Sequence, residues 1–268
     1  MHSDTTAEQL SKTPADRAPA ADRLDEVRRR GRILLGVSDG SPPFSWRPPH
    51  ESKSIGYDVE LAERVASRLG LEVEQVTLRN QDRIPFLQDG KVDLVAVGMS
   101  ITPERARHID FSHAYLDSPH QIVVRRDRGL NSLHQLAGRK LALNKGASVE
   151  DEIRAEVPTV TFAHFDNYDA CFAAVKDGRV DGFLSDRLLL LNLANREPQP
   201  QDYTLLSDYV GPRICGFGMP RQQARFRDAV NQALLDLEAS GEAAAVFARW
   251  FPGVDRTFRI VPDQPRPS

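Results

Sequence analysis

Strand-like and helix-like runs alternate along this chain, and the alternation runs through twice. Residues 92–97 (VDLVAV) are a short apolar run with β-branched residues, the pattern of a buried strand, and residues 32–37 and 71–77 also read as strands. Between them, residues 57–69 carry Leu61, Ala62, Val65, Ala66 and Leu69 on one helical face, closed by Gly70. A shorter helix is predicted over residues 82–88, ended by Asp89-Gly90. The pattern restarts after an extended run at residues 121–125. There the predicted strands are 140–143, 160–163 and 180–184, and the helices 148–156, 169–176 and 186–194, after a turn or short helix at 132–136. Such alternation requires parallel strands joined by crossover helices, so the chain is α/β with two units in series.

The last segment breaks this rhythm. Residues 214–219 read as a strand, residues 222–238 as an amphipathic helix and residues 242–251 (EAAAVFARWF) as a final helix. Packed back on the first unit, these helices make the chain cross between lobes twice, near residues 121–125 and 213–218. Two crossings form a hinge, and a hinge permits closure around a ligand. The expected organisation is a disordered leader over residues 1–23, one lobe from 31–122 plus 215–255, a second from 123–214, and a tail from 256–268.

Composition narrows the function classes. With 268 residues, 40% hydrophobic, the chain has ample core for one or two domains. A net charge of -3 gives no basis for gripping nucleic acid or an anionic membrane. No apolar run approaches the roughly 18–20 residues of a membrane span. Residues 1–23 are polar and lack the apolar centre of a secretory signal, so they read as a leader, and residues 262–268 as a loose tail. The two cysteines, Cys171 and Cys215, form no CxxC, and two readings stand: a disulfide, or two buried thiols. His108, His113 and His120 are spaced by five and seven residues, do not share a helical face, and read as surface or packing residues. There is no GxSxG, HExxH or phosphate loop, and no cofactor or metal is expected.

The chemistry concentrates after the strand at 92–97. Gly98 follows at its carboxyl end, where open α/β sheets bind ligands, and lets a ligand approach the backbone. Ser100 offers an N–H and a hydroxyl. Thr102-Pro103-Glu104-Arg105 has the grammar of a helix start, whose free N–H groups favour an anion. Arg105 adds a planar fork matched to a carboxylate. The bland alternative has Thr102 as a plain cap and Arg105 paired with Glu104 or solvent.

With the helix Gly56 to Ala66 (GYDVELAERVA), the run from Asp93-Leu94 to Asp110-Phe111-Ser112 and the ending Trp250-Phe251, the chain resembles the periplasmic amino-acid-binding proteins. These are family 3 of the extracellular solute-binding proteins of ABC transporters, and the closest resemblance is to the aspartate/glutamate-binding members. The resemblance implies a two-lobed periplasmic-binding-protein fold of type II, each lobe a parallel-rich sheet flanked by helices, joined by a two-strand hinge. It implies a protein outside the cytoplasm, periplasmic or on the cell surface, that hands an amino acid to a membrane permease; a monomer is the default expectation.

The resemblance also implies a ligand map. Gly98, Ser100 and Arg105 would hold the α-carboxylate, with Met99 counted among the ligand-binding residues beside them. Asn144, Ala147 and Ser148 lie in the second lobe's closing loop. Asp186 matches the acid that takes the α-ammonium; its alternative is a plain helix cap. Arg83, assisted by Asn80, would pair with a side-chain carboxylate; its alternative is a surface bond to Asp82, Asp89 or backbone. Tyr168 either contacts the ligand or packs in the core. Ser38 and Ser41 come from the first loop, where Ser41 stands at the place of a stacking aromatic. The missing ring argues for a smaller, polar ligand.

Two rival functions use the same scaffold. The cyclohexadienyl dehydratases it resembles place a glutamate in the second lobe, but residues 207–215 (SDYVGPRIC) contain none. A sensor module would require a separate signalling partner.

Overall fold

The computed structural model describes residues 22–147, 149–210 and 214–262. Asp22 accepts the N–H of Leu24 at 2.9 Å and opens helix α1 (Arg23–Arg30), closed by Gly31 in the left-handed region. Asp22 and Arg23 are thus structural, and the leader expected over residues 1–23 otherwise lies outside the described residues. The sequence RLDEVRRR hides this helix because six of its eight residues are charged. Leu24 and Val27 nonetheless share a buried face, and Arg23 and Arg30 both reach the buried carboxylate of Asp93.

The chain then enters β1 (Arg32–Val37) and a small hairpin of β2 (Gly40–Ser41) and β3 (Ser45–Trp46). Helix α2 (Tyr57–Arg68) leads to β4 (Glu72–Thr77), and α3 (Arg83–Gln88) to β5 (Leu94–Val95). Next come α4 (Pro103–Ala106), β6 (Asp110–Phe111) and β7 (Leu116–Asp117). The second sheet begins with β8 (His120–Arg125) and β9 (Lys140–Asn144). It continues through α5 (Glu150–Glu156), β10 (Thr161–Phe165), α6 (Tyr168–Lys176) and β11 (Gly182–Asp186). After α7 (Arg187–Asn195) and β12 (Tyr203–Leu205), β13 (Ile214–Cys215) returns antiparallel to β7. β14 (Gly218–Met219), α8 (Ala224–Ala239) and α9 (Glu242–Trp250) complete the first lobe.

The two sheets have the same plan. The first has the order β4-β1-β5-β14-β6 and the second β10-β9-β11-β8-β12. In each, three parallel strands are followed by one that runs against them. Residues 121–125, expected at a crossing, are inside the second sheet; the crossing ladder is β7 with β13. The strand predicted over 92–97 is paired fully only at Leu94–Val95. Its hydrogen bonds still extend from Asp93 N–H to Leu34 (2.8 Å) and from Ala96 N–H to Gly36 (2.9 Å).

The first lobe's core joins the two ends of the sequence. Tyr57 packs against Tyr115, Phe247 and Phe251 with ring centroids 6.0, 6.0 and 5.1 Å away. Trp250 donates its indole N–H to Glu60 at 2.8 Å. At Gly56 (φ 144°) a Cβ would fall 2.1 Å from the Phe44 carbonyl oxygen, so α2 can start here only on glycine. Beyond α9 the chain stays attached: Arg256 and Arg259 both grip Glu238, and Ile260 is buried. The loose tail expected over residues 262–268 lies, from residue 263, outside the described residues. Cys171 and Cys215 are free and buried, the second of the two readings, and burial pushes the Cys171 thiol up to about 12. Among the described residues, no helix is long and apolar enough to cross a membrane.

Candidate ligand cleft between the lobes

Where the sheets' carboxyl ends face each other lies a small cavity of about 50 Å³, walled by both lobes. A wider hollow of about 410 Å³ beside α8 is lined by none of the buried, unpartnered polar side-chain atoms. The cleft is lined by such residues, Asn80, Arg83 and Asn144 among them, and so has the chemistry of a binding site.

The first lobe supplies cations. Thr102 accepts the N–H of Arg105 at 3.2 Å and Pro103 takes the first helical position, so the predicted helix start forms as α4. This turn holds Arg105 inward and buried. Its guanidinium donates to the carbonyl oxygens of Ser100 (3.0 Å) and, across the cleft, Gly146 (3.4 Å). Burial, then the charge of Arg83, pull Arg105 down to about 10, which still leaves it cationic at neutral pH.

Arg83 opens α3 and is only 5% exposed. The partners that would hold it at the surface are taken. Arg79 grips Asp82 at 2.9 and 3.2 Å, and Lys91 holds Asp89 at 2.9 Å. Arg83 has one long bond to the Val97 carbonyl oxygen, at 3.4 Å, and its Nε is buried with no partner. A buried donor left unmade is costly, so an anion in the cleft would satisfy it. Asn80 donates to the Lys145 carbonyl oxygen at 2.7 Å, bridging the lobes, while its Oδ1 is buried and unpartnered.

The second lobe supplies an acid. Asp186 ends β11, and the register sets it opposite His120 of β8. Its Oδ1 accepts the N–H groups of Leu188 (2.8 Å) and Leu189 (3.3 Å), so Asp186 caps α7 and lines the cleft at once. Burial raises its carboxyl to about 7 against the opposing pull of Ser118 and the two N–H groups, and the charge of Asp58 adds to the rise. A bound ammonium would hold Asp186 ionised.

Of the residues singled out by sequence, Asn80, Arg83, Gly98, Ser100, Arg105, Asn144, Ala147, Tyr168 and Asp186 line this one cavity. Tyr168 also packs towards Phe183, with ring centroids 6.4 Å apart. Ser148 lies outside the described residues. Met99 does not reach the cleft: its side chain is 1% exposed, packed in the core against the Gly218 backbone. Ser38 and Ser41 line an adjoining hollow of about 240 Å³ that shares Asn80, Arg83, Asn144 and Tyr168 with the cleft. There Ser41 donates to Ser38 at 3.0 Å.

Two expectations are corrected. The first loop does bring a ring to the cleft. It is Phe44, three residues beyond Ser41, seated so close to Gly98 (φ 64°) that a Cβ there would lie 3.0 Å from it. With this ring in the cleft lining, the smaller, polar ligand expected from a missing aromatic loses its basis. His120 is a cleft residue, not a surface one. A helical-face test cannot find it, because strand pairing with Asp186 brings it in. Val149, Leu184, Ser185 and Leu189 also line the cavity; adjacency to Ala147 and Asp186 was their only sequence signal.

Two lobes, a double crossing and a polar cleft between them define a hinged ligand-binding protein. Residues 33–253 match the bacterial extracellular solute-binding proteins, family 3, and the chain belongs to that family. It is 27% identical to the glutamine-binding protein of Geobacillus stearothermophilus, over 84% of this chain and 86% of that relative. It is 24% identical to the L-glutamate/L-aspartate-binding protein of Pseudomonas aeruginosa, over 85% and 79%. Among solved structures, an ancestral arginine-binding protein bound to glutamine superposes with a TM-score of 0.77, at 29% identity, covering 83% of this chain and 98% of the other.

Proposed function

We propose that this chain captures an acidic amino acid, glutamate or aspartate, for the membrane permease of an ABC transporter outside the cytoplasm. Its relatives and neighbours, named for glutamine, for glutamate and aspartate, and for arginine, support an amino acid as the ligand class. The observation that carries the acidic choice is Arg83, buried at the cleft with an unpartnered nitrogen. In this reading Arg105 and Ser100 hold the α-carboxylate, and Gly98 gives clearance. Asp186 takes the α-ammonium, and Arg83 forks the side-chain carboxylate. The residues lining the cleft then bear two cations against one anion, complementary to a ligand of net charge minus one. Closure excludes water and strengthens each of these bonds. The protein works as a monomer and leaves its ligand chemically unchanged. A second reading, glutamine or asparagine, is favoured by the unpartnered Asn80 Oδ1, which would accept an amide N–H.

The test is calorimetric titration of ligand-stripped protein with glutamate, aspartate, glutamine, asparagine and arginine, beside Arg83→Ala. Glutamate or aspartate is expected to bind most tightly. Arg83→Ala should weaken it by about 2–4 kcal/mol while glutamine loses much less. Tight binding of glutamine, with the mutation weakening both ligands alike, would select the second reading. No binding of any of the five would overturn both.

A further inference from the structure

We infer that Asp58, which does not line the cleft, sets its preference between acidic and neutral side chains by balancing the charge of Arg83 from beneath Gly98. The inference rests on the acidic reading of the same cleft. Asp58 is the second residue of α2 and is 0% exposed. Its Oδ2 accepts the Tyr115 hydroxyl at 2.6 Å and the N–H of Gly98, a glycine of the cleft wall. Its Oδ1 is buried without a partner. Arg83 and Asp58 hold the two ends of one peptide unit: Arg83 donates to the Val97 carbonyl oxygen at 3.4 Å, and Asp58 accepts the Gly98 N–H. Burial raises the Asp58 carboxyl against the pull of its two donors, and Arg83 is the cation that acts on it.

Its other titratable neighbours do not fill that role. Tyr57 on α2 and Tyr115 before β7 stay neutral phenols, and Cys215 of β13 stays a neutral thiol, all raised chiefly by burial. Asp186 at the start of α7 is of the same sign. With Asp58 ionised, a carboxylate behind the wall offsets part of the positive excess of the two arginines over Asp186. With Asp58 neutral, that excess acts undiminished, and an ionised ligand side chain gains more over an amide. Burial lifts Asp58 to about 6, so the switch falls within an accessible range of pH.

The experiment is the ratio of glutamate to glutamine affinity, measured by calorimetry from pH 5 to pH 8 in wild type, Asp58→Asn and Tyr115→Phe. Asp186 titrates in the same window, but it serves the α-ammonium common to both ligands and cancels in the ratio. In wild type the ratio should fall about tenfold as pH rises through the titration of Asp58. In Asp58→Asn it should stay flat at the acid-limb value. Tyr115→Phe removes a donor to the carboxylate, so the fall should move to higher pH. This second variant keeps the test decisive if Asp58→Asn does not fold. A ratio independent of pH in wild type, or the wild-type slope retained in folded Asp58→Asn, would overturn the inference while leaving the acidic reading intact. Glutamate affinity indifferent to Arg83→Ala would overturn the reading itself, and the inference with it.

Discussion

On the first lobe's side of the cleft, Arg83 and Arg105 are 5% and 9% exposed and held by helix starts. Phe44 and the aromatic core around Tyr57 and Phe251 lie behind the same wall. On the second lobe's side, Asp186 ends a strand, shares its Oδ1 with the N-terminus of α7, and sits near 7 because it is buried. Arg105 on the first wall keeps its charge at neutral pH, whereas the carboxyl of Asp186 on the second, raised by burial, would be held ionised by a bound ammonium. In the proposed reading the anion grip is thus preorganised, and the ammonium grip is completed by the ligand.

The sharpest way to break this contrast is to remove each grip in turn. Arg105→Ala should weaken binding of every amino acid by about 3–5 kcal/mol, since it leaves a desolvated α-carboxylate unpaired. Asp186→Asn keeps a good helix cap and should cost less, about 2–3 kcal/mol. The two differ in proton traffic. Wild type should release protons when it binds near pH 7, as the ammonium ionises Asp186. Titrations in buffers of different ionisation enthalpy would read this release, and Asp186→Asn should abolish its larger part. Equal proton release in both proteins would remove Asp186 from the ammonium site.

A smaller effect concerns the ligand-free protein. Asp58 and Asp186 are raised from 3.8 to about 6 and about 7. A raised carboxyl binds protons more readily folded than unfolded, so its contribution is full below the unfolded value and is lost as pH rises through the folded one. The melting temperature of ligand-free protein should therefore fall between pH 5 and pH 8. Asp186→Asn should flatten the upper part of that fall. Saturating ligand should flatten it too, by holding Asp186 ionised in a stabilised complex. A melting temperature that rises over this range would contradict the burial of these acids.

The smallest effect tests the bridge between the walls. Asn80→Ala removes the bond to the Lys145 carbonyl oxygen and should weaken ligand binding by about 1 kcal/mol. Small-angle scattering of the ligand-free variant should show a more open average shape. An unchanged profile would mean that Asn80 follows closure and does not favour it.

The alternation of strands and helices was legible because burial on both faces forces apolar runs at 32–37 and 140–143, which appear as β1 and β9. Gly98, Ser100, Arg105 and Asp186 were legible because they follow strands at the ends where such sheets meet. Arg83 was legible as a candidate, but its freedom from Asp82 was not. Two neighbouring ion pairs, Arg79 with Asp82 and Lys91 with Asp89, decide that. Helix α1 was hidden by its charges, and His120 by its dependence on strand register. Phe44 was hidden by a loop whose path depends on the close contact at Gly56. Met99 misled because it stands between two cleft residues in sequence while its side chain packs into the core beneath them.

β14 has a consequence for how the molecule is made. All five strands of the second sheet lie within residues 120–205, so a chain growing from its N-terminus has that sheet in hand early. The first sheet must wait for Gly218–Met219 to enter between β5 and β6, and its lobe for α8 and α9 to pack on α1 and α2. The wall with the arginines, begun first on the ribosome, is therefore finished last. A nascent chain stalled before β14 would hold a folded acid half facing an unassembled basic one, and could not yet keep what it is built to carry.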